Sequence, residues 1–414
     1  MKEKKRDMNN KLVKNTVWLY ILNIAKLVFP LLTLPYLTRI LSVESYGVVS
    51  YVKSFMTYMQ LFVDFGFILS ATKDIVKAKS KDDIGVVVGE ALFGRIMLAV
   101  IGFVFILICS FTVNILKDYV AYTLISYVVV FLSAFLVDFL FRGIEKMQVL
   151  AIRFVAMKGL STLLTFIVVK DDSDLIFIPI LDVIGSVAAL ILTWYEVYKL
   201  KIPIKIRGIG KIFLSIKESA LYFLSNASTT AFTALNTLLI GMYINSAEAA
   251  YWNVPMQLLT AVQAMYNPLA QAMYPEMIKT KSLGLVKRMI KIFFPIVLLG
   301  ALFTFVFAKY ILIIIAGEKY IESVPILRIF VFVMVFSFLG IILGWSTLGA
   351  IDKVKETTIT TVTTAVIQIL GLILLGLVDC FTLVNIAVLR AVTEGFMMAF
   401  RAAYVWKFRK LFNH

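Results

Sequence analysis

Residues 199–211 read KLKIPIKIRGIGK, the longest and most basic break between apolar runs in a chain of 414 residues. On either side of it, apolar runs of about 20 residues alternate with short charged or turn-rich breaks, the pattern of membrane-spanning helices. Six runs precede it, at approximately 15–40, 45–68, 84–112, 119–141, 147–169 and 175–198. Six follow, at approximately 216–244, 247–274, 289–315, 323–349, 356–378 and 382–405. The expectation is an all-α integral membrane protein of about 12 transmembrane helices in two six-helix bundles. The N-terminal bundle is 1–198, the basic cytoplasmic linker 199–215 and the C-terminal bundle 216–414.

Composition agrees. The chain is 61% apolar with a mean hydropathy of +0.93, against about 45–50% apolar for soluble domains. Twelve spans of about 22 residues take about 264 residues and leave connections of about 11, too short for a folded extramembrane domain. The basic start MKEKKRDMNNKLVK runs into a long apolar stretch that lacks an A-x-A-like cleavage site, so it reads as a retained first helix.

The formal charge of +16 would suggest nucleic acid in a soluble protein. Here its location matters first. The N-tail, the even-numbered connections and the C-tail hold 28 Lys and Arg, and the odd-numbered connections hold 5. That asymmetry puts both termini in the cytoplasm, and the charge then speaks of topology, with no nucleic acid as partner. The single histidine is His414, which removes His-based acid/base chemistry. Cys109 and Cys380 form no CxxC and read as two buried thiols, so no metal site is expected. No GxxxxGK phosphate loop is present, so the chain is not expected to hydrolyse ATP.

A weak repeat crosses the basic divider. VESYG at 43–47, an apolar run and IVKAKS at 75–80 correspond to AEAAYW at 247–252, an apolar run and MIKTKS at 277–282. Six helices per half makes this a parallel repeat, and substrate sites in transporters of that kind lie between the halves.

Eight basic residues remain inside spans: Lys26, Lys53, Arg95, Arg153, Lys158, Arg328, Arg390 and Arg401. Each costs about 2.5–3.5 kcal/mol at a helix centre, so each needs a polar interior or a route to the interface. Arg153, Arg328 and Arg401 lie near span ends and read as snorkelling anchors. Lys26, Lys53, Lys158 and Arg390 lie deeper. Lys53, Thr57, Gln60 and Asp64 form one stripe on the second helix; Asn23, Lys26, Pro30 and Thr33 form another on the first. Tyr222, Asn226, Thr229, Thr233 and Asn236 stripe the seventh helix, and Asn253, Gln257, Thr260, Asn267, Gln271 and Tyr274 the eighth. Stripes of that length point to a polar cavity more than to interhelical hydrogen bonds alone.

Same-helix spacing suggests ion pairs Arg390–Glu394, Glu90–Arg95 and Asp138–Arg142. Asp64 and Asp182 have no basic partner on their own helices and are candidates to pair with Lys26, Lys53 or Lys158. Gly85/Gly89 and Gly340/Gly344 have GxxxG spacing and read as close helix packing. Ammonium groups on mid-membrane stripes suit a phosphate or diphosphate. The candidate substrate-binding set is therefore Lys26, Lys53, Lys158, Arg153, Arg95, Asn226, Gln257, Asn267 and Gln271, with Asp64 and Asp182 as candidates for ion coupling.

FPLLTLPYLTRILSVESYG (29–47), MQLFVDFGFILSATKDI (59–75) and FRGIEKMQVLAI (141–152), together with AEAAYWNV (247–254) and NPLAQAMYPEM (267–277), resemble Wzx-type polysaccharide flippases in both halves. The third segment resembles their FQGxEKM stretch, with Arg142 where Gln is common. The resemblance implies the multidrug/oligosaccharidyl-lipid/polysaccharide exporter fold, a MATE-like V of two bundles around a central cavity lined by helices 1, 2, 7 and 8. It implies a non-enzymatic inner-membrane transporter that flips undecaprenyl-diphosphate-linked oligosaccharide units of O-antigen or other polysaccharide by alternating access. It also implies H+ or Na+ coupling, no cofactor, and a polysaccharide polymerase, chain-length proteins and membrane lipids as partners.

Two readings compete. A multidrug or other lipid exporter shares the fold, but a cation exporter wants cavity carboxylates without lysines. A membrane glycosyltransferase or polymerase needs a sizeable outer loop, and none is visible in the sequence.

Overall fold

The computed structural model describes residues 2–230 and 234–413, with side chains except those of residues 2–13 and of Leu221, Ser225, Ser228 and Thr229. Thr229 and Thr233 of the seventh-helix stripe, the N-tail lysines up to Lys11 and His414 thus lie outside the described side chains. The first half contains α1 (Lys2–Ile40), α2 (Val43–Asp64), α3 (Phe67–Lys77), α4 (Lys81–Thr112), α5 (Asn114–Lys117), α6 (Val120–Ser133), α7 (Asp138–Gly143), α8 (Met147–Val168) and α9 (Phe177–Leu200). The second contains α10 (Ile209–Thr230), α11 (Ala234–Tyr243), α12 (Ser246–Thr280), α13 (Leu283–Ala316), α14 (Val324–Leu343), α15 (Val354–Leu377) and α16 (Leu383–Lys407).

Among the described residues, ten helical stretches are long and apolar enough to cross a membrane. The other two of the expected twelve coincide with α10 and α11, the second an apolar helix of ten residues, and with α12. Lipid-facing character is plain on α13, where Leu299, Leu302, Phe303, Val306 and Ile314 are more than half exposed. So many exposed large apolar side chains on one helix would be an aggregation hazard in water.

Two compact units emerge: Met1–Tyr36 with Val52–Ala227, and Leu37–Tyr51 with Ser228–His414. In the first, α8 packs on α9, α6 on α4 and α9, and α3 on α4 and α7, around Phe67, Leu98, Phe139, Phe141 and Leu150. Gly66 separates α2 from α3 with φ +82. Ser219 O and the Tyr222 Cβ stand where its side chain would be, so both conformation and space demand glycine.

In the second unit α14 packs on α12, α13 and α16, and α15 on α16. The turn joining α1 to α2 is part of this unit. Arg39 donates to Ile314 O at 2.6 Å, Lys319 Nζ donates to Leu41 O at 3.0 Å, and Gln257 Nε2 donates to Tyr46 Oη at 2.8 Å.

Several expectations change. Gly85 and Gly89 do pack closely, but against the backbone of the 199–215 linker: Pro203 O and Lys205 O lie where their side chains would be, and Lys205 N donates to Gly85 O at 3.2 Å. Gly344 makes room for the Arg401 guanidinium, which donates to Gly340 O at 2.7 Å and to the hydroxyls of Thr360 and Thr361 at 3.2 and 2.9 Å. Arg401 and Arg153 are buried and do not snorkel, because each finds fixed acceptors inside its unit. Arg328 is exposed and lies over Phe305, 5.5 Å from the ring centroid, as an anchor would. Cys109 is half-buried and Cys380 exposed, because Cys380 falls in the α15–α16 connection and not in a span.

Candidate functional site

The first unit concentrates the intramembrane charge. The α-helical ladder stops at Ser133 and resumes at Asp138; across the interruption Ser133 O keeps only a turn bond from Leu136 N at 3.0 Å. Arg95, reaching over from α4, answers this break: it donates to Ser133 O at 2.9 Å and to Leu136 O. It also holds Asp64 Oδ1 at 2.6 Å, while Gln60, one turn back on α2, donates to Asp64 Oδ2 at 3.0 Å. Asp138, at the first turn of α7, receives both terminal nitrogens of Arg153 on its two oxygens, one of them at 2.9 Å.

The expected same-helix pairs Glu90–Arg95 and Asp138–Arg142 are therefore replaced by cross-helix pairs. Glu90 and Arg95 are five residues apart and off a shared face. Asp138 prefers the fork geometry that Arg153 offers from α8.

Asp64, Asp138 and Arg153 line a pocket of about 310 Å³, with Lys26, Arg142 and Phe154 at its wall. Asp64 and Asp138 are matched by Arg95 and Arg153. Among the described residues, Lys26 and Arg142 have no carboxylate within ion-pair distance, and the Arg142 Nε is buried without a hydrogen-bond acceptor. Lys26 Nζ sits 5.8 Å from the Phe154 ring centroid, at the outer limit of a cation–π contact. The pocket thus carries two surplus positive charges.

Lys158 forms a second cluster. Its Nζ donates to Asp182 Oδ1 at 2.8 Å, and the Ser161 hydroxyl donates to the same oxygen at 2.6 Å. Lys53, an exposed side chain on α2, lies within electrostatic reach of Lys158 and Asp182. The charged neighbours of Lys26 are instead Arg142, Asp138, Arg153 and Asp64. Lys26 and Lys53 therefore belong to separate clusters, and the cation nearest in role to Lys26 is Arg142. The 28 cations counted in the tails and even-numbered connections include Arg142. Its signal was present in FRGIEKM, where it stands in place of the usual Gln.

The candidates from helices 7 and 8 are more dispersed. Asn226 is half-buried, while Asn267 and Gln271 are exposed. Gln257 is occupied by Tyr46 and by Asn253 Oδ1 at 2.7 Å. Deeper in the second unit, Arg390 and Glu394 pair at 2.6 Å with side-chain exposures of 5% and 4%, as their spacing predicts. Beside them Thr393 donates to Gln368 Oε1 at 2.7 Å, and Gln368 donates to Asn236 Oδ1 at 3.3 Å.

The polysaccharide biosynthesis protein family matches residues 12–281. A Shigella dysenteriae protein described as an O-antigen transporter is 29% identical over 271 residues, 64% of this chain and 67% of that protein. A second, from Escherichia coli K12, is 25% identical over 284 residues, 67% and 68% of the two chains. Among solved structures, an inward-facing multidrug-resistance MATE transporter of the MOP superfamily superimposes with a TM-score of 0.69 at 14% identity, covering 94% of both chains. An outward-facing structure of that kind gives 0.60 at 16% identity, covering 95% of both.

Proposed function

The chain belongs to the polysaccharide biosynthesis protein family, as its sequence resemblance implied, and we propose that it flips an undecaprenyl-diphosphate-linked oligosaccharide across the bacterial inner membrane. It is a multi-pass membrane protein with the fold of MOP-superfamily transporters, and its relatives are transporters. The observation that carries the reading is the charge count of the pocket in the first unit. With Asp64 and Asp138 matched, Lys26 and Arg142 remain for an anion. A diphosphate offers several strong acceptors to an ammonium and a guanidinium at once. At about 310 Å³ the pocket sits at the small end of ligand sites, about 300–1,000 Å³. That suits a phosphate-sized head, with the oligosaccharide outside it. An exporter of cationic drugs would need the opposite surplus.

Lys53 and Lys158, two cations sharing Asp182, serve in this reading as a second station for the same charge. Arg95 and Arg153 hold the carboxylates and shape the pocket. Transport runs by alternating access from the cytoplasmic face outward, with both termini cytoplasmic and the functional halves 1–198 and 216–414 joined by the linker 199–215. Gln257, Asn226, Asn267 and Gln271 are assigned to sugar hydroxyls.

The test is complementation of surface polysaccharide in a strain lacking its own flippase, with membrane accumulation measured in parallel. Lys26→Ala/Arg142→Ala is expected to accumulate normally and to lower export at least tenfold. Lys26→Arg retains charge but not shape and is expected to keep partial export. Full export by the double variant would overturn the assignment.

A further inference from the structure

The linker after α9 is more than a connection. Residues 202–208 belong to no helix, and their backbone is fastened along the first turns of α4. Lys205 N bonds to Gly85 O, Lys81 Nζ donates to Leu200 O at 2.9 Å, and Lys205 Nζ pairs with Asp82 at 3.1 Å. Gly85 and Gly89 permit this because any side chain there would displace Pro203 and Lys205. A strap held in this way presents its outward side chains in a fixed array.

That array alternates in chemistry. Ile204, Ile206 and Ile209 are 37%, 41% and 73% exposed, and Phe213 and Leu214 extend the apolar row. Lys201, Arg207, Lys211 and Lys217 are exposed between them. No Asp or Glu occurs from 199 to 217. The acidic groups facing the strap are few. Asp82 is engaged by Lys205, Glu196 by Lys199, Asp83 and Glu90 lie within electrostatic reach of Arg207, Glu90 also of Lys211, and Glu218 borders the segment. Among the described residues, Lys201, Arg207, Lys211 and Lys217 form no ion pair. The apolar stretch of α9 that can span a membrane ends at Leu200, so the strap begins where a span ends. Tyr195 and Tyr198, the aromatic residues of a membrane border, are exposed just before it, and Lys199 lies over Tyr195 at 4.0 Å.

We propose that residues 199–217 form a binding surface for anionic phospholipid headgroups of the bilayer on that face. Exposed isoleucines and a phenylalanine interleaved with cations require a partner that is apolar and anionic over the same few ångströms. A phospholipid supplies phosphate at the depth of the cations and acyl chain at the depth of the apolar side chains. A water-borne acidic partner would leave the apolar row uncovered.

Native mass spectrometry of the detergent-purified full chain tests this by titration with phosphatidylglycerol and, separately, phosphatidylcholine. Each lysine or arginine near an anionic surface contributes about fivefold to apparent affinity. Wild-type protein is expected to retain phosphatidylglycerol at least tenfold more tightly than phosphatidylcholine, and to lose the preference in about 0.5 M salt. The variant Lys201→Gln/Arg207→Gln/Lys211→Gln/Lys217→Gln is expected to bind both lipids alike. Equal retention by the wild type, or a preference that survives either the salt or the four substitutions, would overturn the proposal. The salt arm uses the wild type alone and so decides even if the variant does not fold. Because the only lipids added are phospholipids, the outcome does not depend on which cargo the transporter carries.

Discussion

Removing Arg95 is the most severe test of the charge accounting in the first unit. The substitution Arg95→Met keeps most of the volume and removes three donated contacts: Asp64, Ser133 O and Leu136 O. Breaking a buried ion pair from one side typically costs about 3–5 kcal/mol, because the other charge is left uncompensated. Here a discount applies. Asp64 is 21% exposed and keeps its bond from Gln60, and the two carbonyl-bearing residues line the pocket, where water can reach them. The expected loss is therefore about 2–3 kcal/mol. Neutralising the orphan should recover part of it. Arg95→Met/Asp64→Asn is expected to regain about 1–2 kcal/mol relative to the single variant, since no bare carboxylate then remains. The assay is the apparent melting temperature in detergent, with Asp64→Asn as the fourth corner of the cycle. At roughly 2 °C per kcal/mol for a long chain, the single variant should fall by about 5 °C and the double by about half that. A double variant as unstable as Arg95→Met would show that the arginine supports the α6–α7 break and not the carboxylate. An unchanged single variant would refute the accounting altogether.

Topology can be read with single cysteines in a background lacking Cys109 and Cys380. Lys205→Cys should label from the cytoplasmic side and Ser246→Cys from the outer side; labelling of both from one side would refute the orientation inferred from charge asymmetry. For energy coupling, Asp64→Asn in proteoliposomes should leave the response to an imposed pH gradient largely intact. Its carboxylate already has two fixed donors, Arg95 and Gln60, which suit a static partner. Loss of gradient dependence in that variant, with transport at equilibrium retained, would instead make Asp64 the coupling group.

Helices were legible because a membrane imposes length and polarity together. A span must be about 20 residues long, and its polar side chains must face inward. The twelve runs and the Arg390–Glu394 pair follow from spacing along a single helix, where geometry is known before any fold is. What could not be read is which helices face each other. Asp64 had no same-helix cation, and nothing in its spacing distinguishes Arg95 on α4 from Lys26, Lys53 or Lys158. Asp182 met Lys158 from that same list, so the rule that a buried carboxylate finds a cation held while the identity of the cation did not. Cys380 was misread for a different reason: it follows Asp379 between the runs 356–378 and 382–405, so the span boundaries already placed it in a turn, and reading both thiols as buried ignored them.

Arg142 shows the limit in its sharpest form. Counting loop cations averages over many residues, and the averaging hides any single cation that turns back into the protein. Arg142 sits in a short helix of six residues, α7, directly after the break that Arg95 repairs. Had the helix run on without that break, a residue nine positions beyond Ser133 would have continued along its axis by about 13 Å. The helical ladder is instead interrupted between Ser133 and Asp138, and Arg142 lines the same pocket as Lys26. The surplus charge therefore depends on Arg95 twice. Arg95 matches Asp64 and leaves Lys26 without a carboxylate, and it satisfies the carbonyls at the interruption that precedes Arg142. A buried arginine outside the pocket lining can in this way bear on the charge of a site through its neighbours.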